Sequence, residues 1–512
     1  MKQTLTQSMA WLHTWGGLIV GWLLFVIFLT GTLAVFDKEI DTWMHPELPA
    51  RIISNEQAVE HGLAYLREHE AGAKQWGIRF PYERSPELQA STGGRRDGVS
   101  VTLDPNTGEA LPVRETVGGR FFFLFHFTLH MPRMIGIYLV GALAMGMLAA
   151  LVSGIVIHKK FFKEFFTFRP AKGQRSWLDA HNASAVLLLP FHLMITYTGL
   201  AIFLLIYMPA AMDALFEGDR EAYFKAQDAT PAALVVKRPA SVEPAAMVAL
   251  APLLAQAREV MGPLSGIGIT NPGKSNAEIQ VRSILGNRIA LTKGQNMRFD
   301  GVTGELLSGP GETRASVLTH QVVSGLHFAQ FGGYPMRWLY FICGLISSAM
   351  IASGLVLFTV KRRRKYASEG RVAHALYRLV EAINITVIAG VSLACISLLW
   401  GNHLLPVGMA ERAGAELDVF FGVWALSLLH ALVRPRMHAW REQLGLAGVM
   451  CLTLPLLSLL TVDQQWALPA RAGLELVSVA LGAGLLWMSW KVSQPAVERA
   501  PRKKAAGLAE VN

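Results

Sequence analysis

The chain has 512 residues, of which 52% are hydrophobic and only 16% charged, well below the roughly 25% usual for soluble domains. That balance excludes an ordinary water-soluble enzyme and points to segments held in a lipid bilayer. The net charge of +10 would suit nucleic acid, but the basic residues sit in short stretches between apolar runs, so nucleic acid is not expected as a partner.

The first apolar run, Leu18 to Val35, carries no charge and is long enough to cross a hydrocarbon core of about 30 Å. It is too long for a cleaved leader and has no small-residue cleavage site before Asp37, so a retained membrane helix is expected. Further runs occupy 136–157, 183–207, 338–360, 379–400, 419–433, 443–461 and 473–490, which makes eight expected spans, 419–433 being the shortest. Lys159, Lys160, Lys163, Arg169, Lys172 and Arg175 fill the loop after the second span, and Lys361 to Lys365 follow the fourth. Arg434, Arg436 and Arg441 separate the sixth and seventh, and Lys491, Arg499, Arg502, Lys503 and Lys504 follow the eighth. Basic clusters therefore occupy alternate loops. The positive-inside rule then expects an inner-membrane protein with both termini cytoplasmic and with 36–135 and 208–337 outside. Cys343, Cys395 and Cys451 lie inside apolar runs, and no CxxCH occurs, which excludes covalent c-type haem attachment.

The chain repeats itself. His13 is followed seventeen residues later by Thr30-Gly31, and His181 seventeen residues later by Thr198-Gly199. Phe125-His126-Phe127 precedes Ser153-Gly154, and Leu326-His327-Phe328 precedes Ser353-Gly354. Asp104 to Glu109 and Asp300 to Glu305 match as tight hairpin turns. Val99–Leu103 reads as the extended stretch before the first turn and Arg288–Leu291 as the one upstream of the second. Helix-like segments, Asn55–His69 and Pro244–Val260, come ahead of each. The expected architecture is an all-α polytopic protein with two small outer α+β domains, a duplicated helix–domain–helix unit, and a separate C-terminal four-span block.

Several of these residues carry a resemblance. Leu12-His13-Thr-Trp-Gly16, Phe125-His126-Phe-Thr-Leu-His130, Ser153-Gly154-Ile-Val-Ile-His158, Phe166-Thr-Phe-Arg169-Pro170, Leu178-Asp179-Ala-His181-Asn182 and Leu326-His327-Phe with Gly332-Gly333 together resemble the PepSY-associated transmembrane proteins, also called iron-regulated membrane proteins. The resemblance covers about 1–365. It implies four core helices, two periplasmic PepSY domains and, as in some members, b-type haem and reduction of ferric siderophores. On that reading the chain divides into helix 1 (1–36), a first PepSY-like domain (37–125), helices 2 and 3 with their basic loop (126–207), a second PepSY-like domain (208–326), helix 4 (327–365), the C-terminal block (366–490) and a basic tail (491–512). The block departs from the family pattern.

Imidazole is a preferred axial ligand of haem iron, and ionisable groups in a membrane are rarely incidental. His13 and His181, equivalent in the repeat, are expected to face each other at the inner end and hold one haem. His158 competes at that depth. Each could instead be an interfacial histidine bonded to headgroups or a helix end. At the outer end His126 and His130, four apart, share a helix face, and His327 is the repeat equivalent of His126. This set suits a second haem b, through His126 and His327 or through one pair while the other histidine meets substrate, or else zinc or copper at the i,i+4 pair. His192 would lie between the two sites on nearly the same face as His181, as a ligand, a propionate contact or a bond between helices. His403, His430 and His438 in the block are either structural or a site for a third cofactor. Glycines such as Gly16, Gly31 and Gly141 allow close packing or room for a macrocycle.

No dinucleotide or phosphate-loop fingerprint occurs in the sequence, and no flavin domain fits the inner loops. Electrons are therefore expected from a separate cytoplasmic reductase or from quinol. The favoured reading is a membrane-bound ferric-siderophore reductase that takes a ferric siderophore or other metal chelate. The alternative is a non-redox transporter or sensor that binds a chelate, peptide or partner protein. No catalytic residue is assigned from sequence.

Overall fold

The computed structural model describes residues 4–93, 98–158, 173–219, 221–223, 243–285, 288–291, 296–311, 313–462 and 468–494. The basic loop residues Lys159 to Lys172 and the tail from Arg499 onward lie outside them. The chain is a multi-pass membrane protein. Helix α1 (Leu5–Ala34) opens with a capping box in which Thr4 and Gln7 satisfy each other's backbone donors, and its 30 residues extend about 45 Å. Then come α2 (Asp37–Met44), α3 (Asn55–His69), strands β1 (Gln75–Arg79), β2 (Leu88–Thr92) and β3 (Val99–Leu103), α4 (Arg120–Thr128) and α5 (Arg133–Ile157). The next stretch holds α6 (Gln174–Leu187), α7 (Leu189–Ile202), α8 (Leu204–Tyr207), α9 (Ala210–Phe216), α10 (Leu250–Met261), β4 (Leu264–Thr270), β5 (Glu278–Ser283), β6 (Asn296–Asp300), β7 (Leu306–Ser308), α11 (Ala315–Phe328) and α12 (Gly333–Ser368). The block comprises α13 (Arg371–Ile385), which runs through a π turn at Thr386–Gly390 into α14 (Val391–Leu404), then α15 (Arg412–Val433), α16 (Arg436–Thr461) and α17 (Pro469–Ser493).

Among the described residues, 7 helices are long and apolar enough to cross a membrane, and α6 with α7, taken as one broken span, makes 8. The expected straight helix over 183–207 is corrected: α6 and α7 meet at 65°. Pro190 sits in the first turn of α7, where its missing N–H and its ring bar continuation of the preceding helix. Spans one to four close into a ring. α1 packs on α5 and α12, α6 packs on α12, and α7 packs on α5. Three buried hydroxyls inside the ring are satisfied within their own helices: Thr30 Oγ1 donates to the Val26 carbonyl at 2.8 Å, Thr198 to Met194 at 2.7 Å and Ser153 to Ala149 at 2.7 Å. Their desolvation is therefore largely offset.

The segments 36–135 and 208–337 do not form separate sheets. They share one seven-stranded antiparallel sheet in the order β3-β2-β1-β4-β5-β6-β7. The halves join where β1 lies against β4, pairing Trp76 with Ile269 and Ile78 with Ile267. These four side chains are buried with Ile279, Val281 and Phe299 beneath α3 and α10, and each large apolar side chain so enclosed contributes roughly 1.5–3 kcal/mol. Separate half-sheets of three and four strands would leave edges open at β1 and at β4, and joining them covers both. Both turns read from sequence are present and alike. Gly108 N–H donates to Asp104 O at 2.8 Å and Gly304 N–H to Asp300 O at 3.0 Å, and the two glycines have φ of 79° and 78°, left-handed values that favour glycine.

Two boundaries differ from expectation. Arg288–Leu291 is not a strand; Leu291 N–H donates to Gln321 O at 2.9 Å, which draws the stretch onto α11, and β6 takes its place before the second turn. The second sheet-covering helix starts at Leu250, not Pro244, because Pro244 bridges to Lys274 and Val248 N–H donates to Gly301 O.

Candidate cofactor and ligand site

Four of the seven expected histidines meet in two pairs. His13 on α1 and His181 on α6 come from helices on opposite sides of the ring and meet at its middle, ring centres 6.2 Å apart and planes at 69°. His126 on α4 and His327 on α11 meet nearer the sheet, centres 6.1 Å apart and planes at 37°. Each Nδ1 is bonded to a backbone carbonyl: His13 to Ala150 at 2.9 Å, His181 to Met350 at 2.9 Å, His126 to Ile27 at 2.8 Å and His327 to Ile195 at 3.1 Å. A carbonyl only accepts, so Nδ1 carries the proton in all four rings and Nε2 keeps its lone pair. That is the tautomer of a metal-binding imidazole oriented by its neighbours.

A glycine seats each ring. A Cβ added at Gly31 would lie 2.5 Å from His126 Nδ1, one at Gly199 2.9 Å from His327 Cε1, one at Gly354 3.0 Å from His181 Cε1 and one at Gly154 3.3 Å from His13 Cε1. The small-residue pairs of the repeat are thus places where an imidazole lies against helix backbone. Two imidazoles on opposite faces of one iron have ring centres about 6 Å apart, from two metal–nitrogen bonds of about 2 Å and the ring half-widths. Spacing, tautomer and donor type in both pairs suit a bis-imidazole haem. The pairs are well separated, because His13 and Ile27, which holds His126, are fourteen residues apart on α1, or about 21 Å.

The other expected residues lie elsewhere. α4 ends at Thr128, Leu129 and His130 take left-handed φ of 50° and 58°, and α5 starts after Pro132, so His126 and His130 do not share a helix face. The His130 ring instead lies 5.2 Å from that of Phe421 in the block. His192 is fully buried on α7, beyond the bend from His181, so the common face expected for these two is lost. Its Nε2 is 2.9 Å from Ser347 Oγ, which makes it a bond between spans three and four. His158 ends α5 one turn after Gly154 and belongs to neither pair. In the block, His403 lies against Trp43 with ring centres 4.3 Å apart, and His430 Nε2 is 2.8 Å from Glu442. These two occupy opposite ends of α15 and its neighbours and do not gather. Among the described residues no group of three or more His, Cys, Asp or Glu is placed to hold a metal ion.

Between the sheet and the bundle lies a chamber of about 1630 Å³ that reaches both His126 and His327, larger than the roughly 300–1,000 Å³ of an ordinary small-molecule pocket. Its roof is the sheet face opposite α3 and α10. One wall is a buried ion pair, Arg84 Nε to Glu39 at 2.7 Å, joined by the Tyr334 hydroxyl at 3.1 Å. Asp41 on another wall has its carboxyl pushed above the usual range, chiefly by burial. The sequence pattern marks the four histidines that pair and the Thr-Gly and Ser-Gly pairs beside them, without the contact between the two. It misses Arg79 and Arg282 in the roof, which are far apart in the chain and carry no local signal.

No curated protein matches this chain. The chain belongs to the PepSY-associated TM region family, whose model matches residues 10–361, a stretch that holds all four paired histidines and every strand of the sheet.

Proposed function

We propose that the protein carries electrons across the bacterial inner membrane to a ferric siderophore or related ferric chelate in the chamber beneath the sheet. His13 with His181 would hold one haem b and His126 with His327 a second. Bound haem supplies one-electron transfer through an apolar core that side chains alone do not conduct across. The four histidines contribute neutral Nε2 donors, the carbonyls of Ile27, Ala150, Ile195 and Met350 fix the rings, and the four glycines let them lie close to the helices. Reduction of ferric to ferrous iron weakens a hard-oxygen chelate and frees the metal.

The basic loops, read by the positive-inside rule, support cytoplasmic termini and a sheet on the periplasmic side. The donor is then a cytoplasmic reductase or membrane quinol. We read spans one to four and the two half-sheets as a duplicated unit, because each histidine, carbonyl and glycine of one half has its counterpart in the other. The observation that carries the proposal is the pairing of four Nδ1-anchored imidazoles, two and two.

Purified protein made with ample haem supply tests it. The expected result is a Soret band and about two haems per chain by pyridine haemochrome, with His13→Ala and His126→Ala each losing one. A haem-free preparation, or variants that keep both groups, would overturn the reading in favour of a non-redox transporter or sensor.

A further inference from the structure

We propose that the roof of the chamber is a binding site for a net-anionic metal chelate, one that presents carboxylate or catecholate oxygens, gripped between Arg79 and Arg282. The proposal deepens the reading of the chamber as the place where a ferric chelate is received. It sets the sign of that ligand's charge.

The argument starts from strand register. Arg79 on β1 lies opposite Gly266 on β4, and Gly266 lies opposite Arg282 on β5. Their neighbours Ile78 and Val281 point into the core under α3 and α10, so alternation sends both arginines to the chamber face. The two arginines are two strands apart, about 10 Å between Cα atoms, and Gly266 leaves no side chain between them. Its φ of 155° keeps that position for glycine. The next row on this face, moving along the strands, also has an open centre, Gly77 opposite Gly268. A Cβ at Gly268 would lie 2.7 Å from Arg282 Nη2, so the Arg282 guanidinium leans over the middle of the sheet. The roof is therefore a trough of bare backbone between two guanidinium groups.

Neither arginine has a carboxylate partner among the described residues, and Arg84 on the chamber wall shows what a paired one looks like, held by Glu39 at 2.7 Å with Asp37 at 3.6 Å. Arg120, Arg133 and Arg288 also line the chamber without an ion pair among the described residues. Arg282 is held below its usual range by enclosure and then by Arg79. Two like charges facing one chamber favour a multivalent anion, and guanidinium binds carboxylate and related oxygens through two parallel hydrogen bonds. A cationic chelate would meet repulsion there. A phospholipid headgroup offers the same anionic chemistry, and the experiment separates it from a chelate.

The test measures equilibrium binding of redox-inert gallium(III) citrate to the full-length protein in phosphatidylcholine nanodiscs by calorimetry. The gallium complex of desferrioxamine B serves as the cationic comparison. Expected are saturable binding of the citrate complex, at least about tenfold weaker binding of the cationic one, and a loss of about tenfold or more for Arg79→Gln and for Arg282→Gln. Arg79→Lys should recover part of that loss. Equal affinity for both complexes, or unchanged binding in the glutamine variants, would overturn the proposal. If phosphatidylglycerol nanodiscs abolish citrate binding, the arginines serve a lipid headgroup and the chelate assignment falls. A single size-exclusion peak and an unchanged far-ultraviolet circular dichroism spectrum show that each variant folds. Haem without citrate binding sinks this inference alone, whereas binding without haem sinks the electron-transfer reading alone.

Discussion

An imidazole that lies flat against a neighbouring helix needs a position without a Cβ, and the four seats differ in how tight they are. At Gly31 an added methyl would sit 2.5 Å from His126 Nδ1, the atom that donates to Ile27 O, whereas at Gly154 the nearest ring atom is 3.3 Å away. The first overlap forces the ring off its carbonyl; the second needs only a few tenths of an ångström of movement. On the proposed two-haem reading, Gly31→Ala is therefore expected to lose one haem and Gly154→Ala to keep both, measured by pyridine haemochrome and by the visible spectrum of the reduced protein. The order of the two variants is the informative part. If Gly31→Ala kept both haems with unaltered spectra, the seats would be packing and nothing more.

At the scale of elements, α2 shows how the junction between membrane and sheet is built. It follows α1 after two residues and carries Asp41 into the chamber wall. Burial is the largest cause of that carboxyl's raised pKa, with His45 and Lys38 opposing it. A carboxyl with a raised folded pKa binds its proton more tightly in the native state. Its contribution to stability is therefore complete below the unfolded value of about 3.9 and is lost as pH rises through the folded value. Asp41→Asn should accordingly raise the unfolding temperature at pH 8, with the gain fading toward pH 4, as read by thermal melts at both pH values. A gain of equal size at both would assign the effect to something other than ionisation. What could be read from sequence follows the same scale. The Asp104 and Asp300 turns were legible because a side-chain oxygen, a threonine and a left-handed glycine act within six residues. The end of α4 had a signal in Pro132, and the bend before α7 had one in Pro190. The joining of β1 to β4 had none, because nothing local in Gln75–Arg79 states that its partner lies beyond two further membrane spans. The pairing of Arg79 with Arg282 was hidden for the same reason.

Over the whole molecule the ring of spans one to four is joined by the C-terminal block, which clamps the first half of the sheet-bearing end. Glu416 and Arg412 are both fully buried and 2.5 Å apart. Glu416 also accepts from Thr116 Oγ1 at 2.6 Å, Val117 N at 3.0 Å and Asn402 Nδ2 at 2.8 Å. Arg471 donates to the carbonyls of His45 and Leu48, and Trp43 Nε1 donates to Glu475 at 3.1 Å. The block further packs Phe420 and Phe421 against Phe121, Phe125 and His130, so it braces the helix that carries His126. Removing one partner of a buried pair leaves the other charge uncompensated, at a cost of about 3–5 kcal/mol. Glu416→Ala strands the Arg412 guanidinium and three further donors at once, while Glu416→Gln keeps an acceptor and should cost less. Cys395 and Cys451 are buried in the block and free, so in a Cys343→Ser background their thermal exposure to a thiol-reactive dye reports its opening. The expected outcome is an earlier labelling midpoint for Glu416→Ala than for Glu416→Gln, accompanied by a disturbed signal from the His126–His327 pair and an intact one from His13–His181. Equal midpoints in both variants and the wild type would mean that the network holds nothing together, and that the block sits on the ring by apolar packing alone.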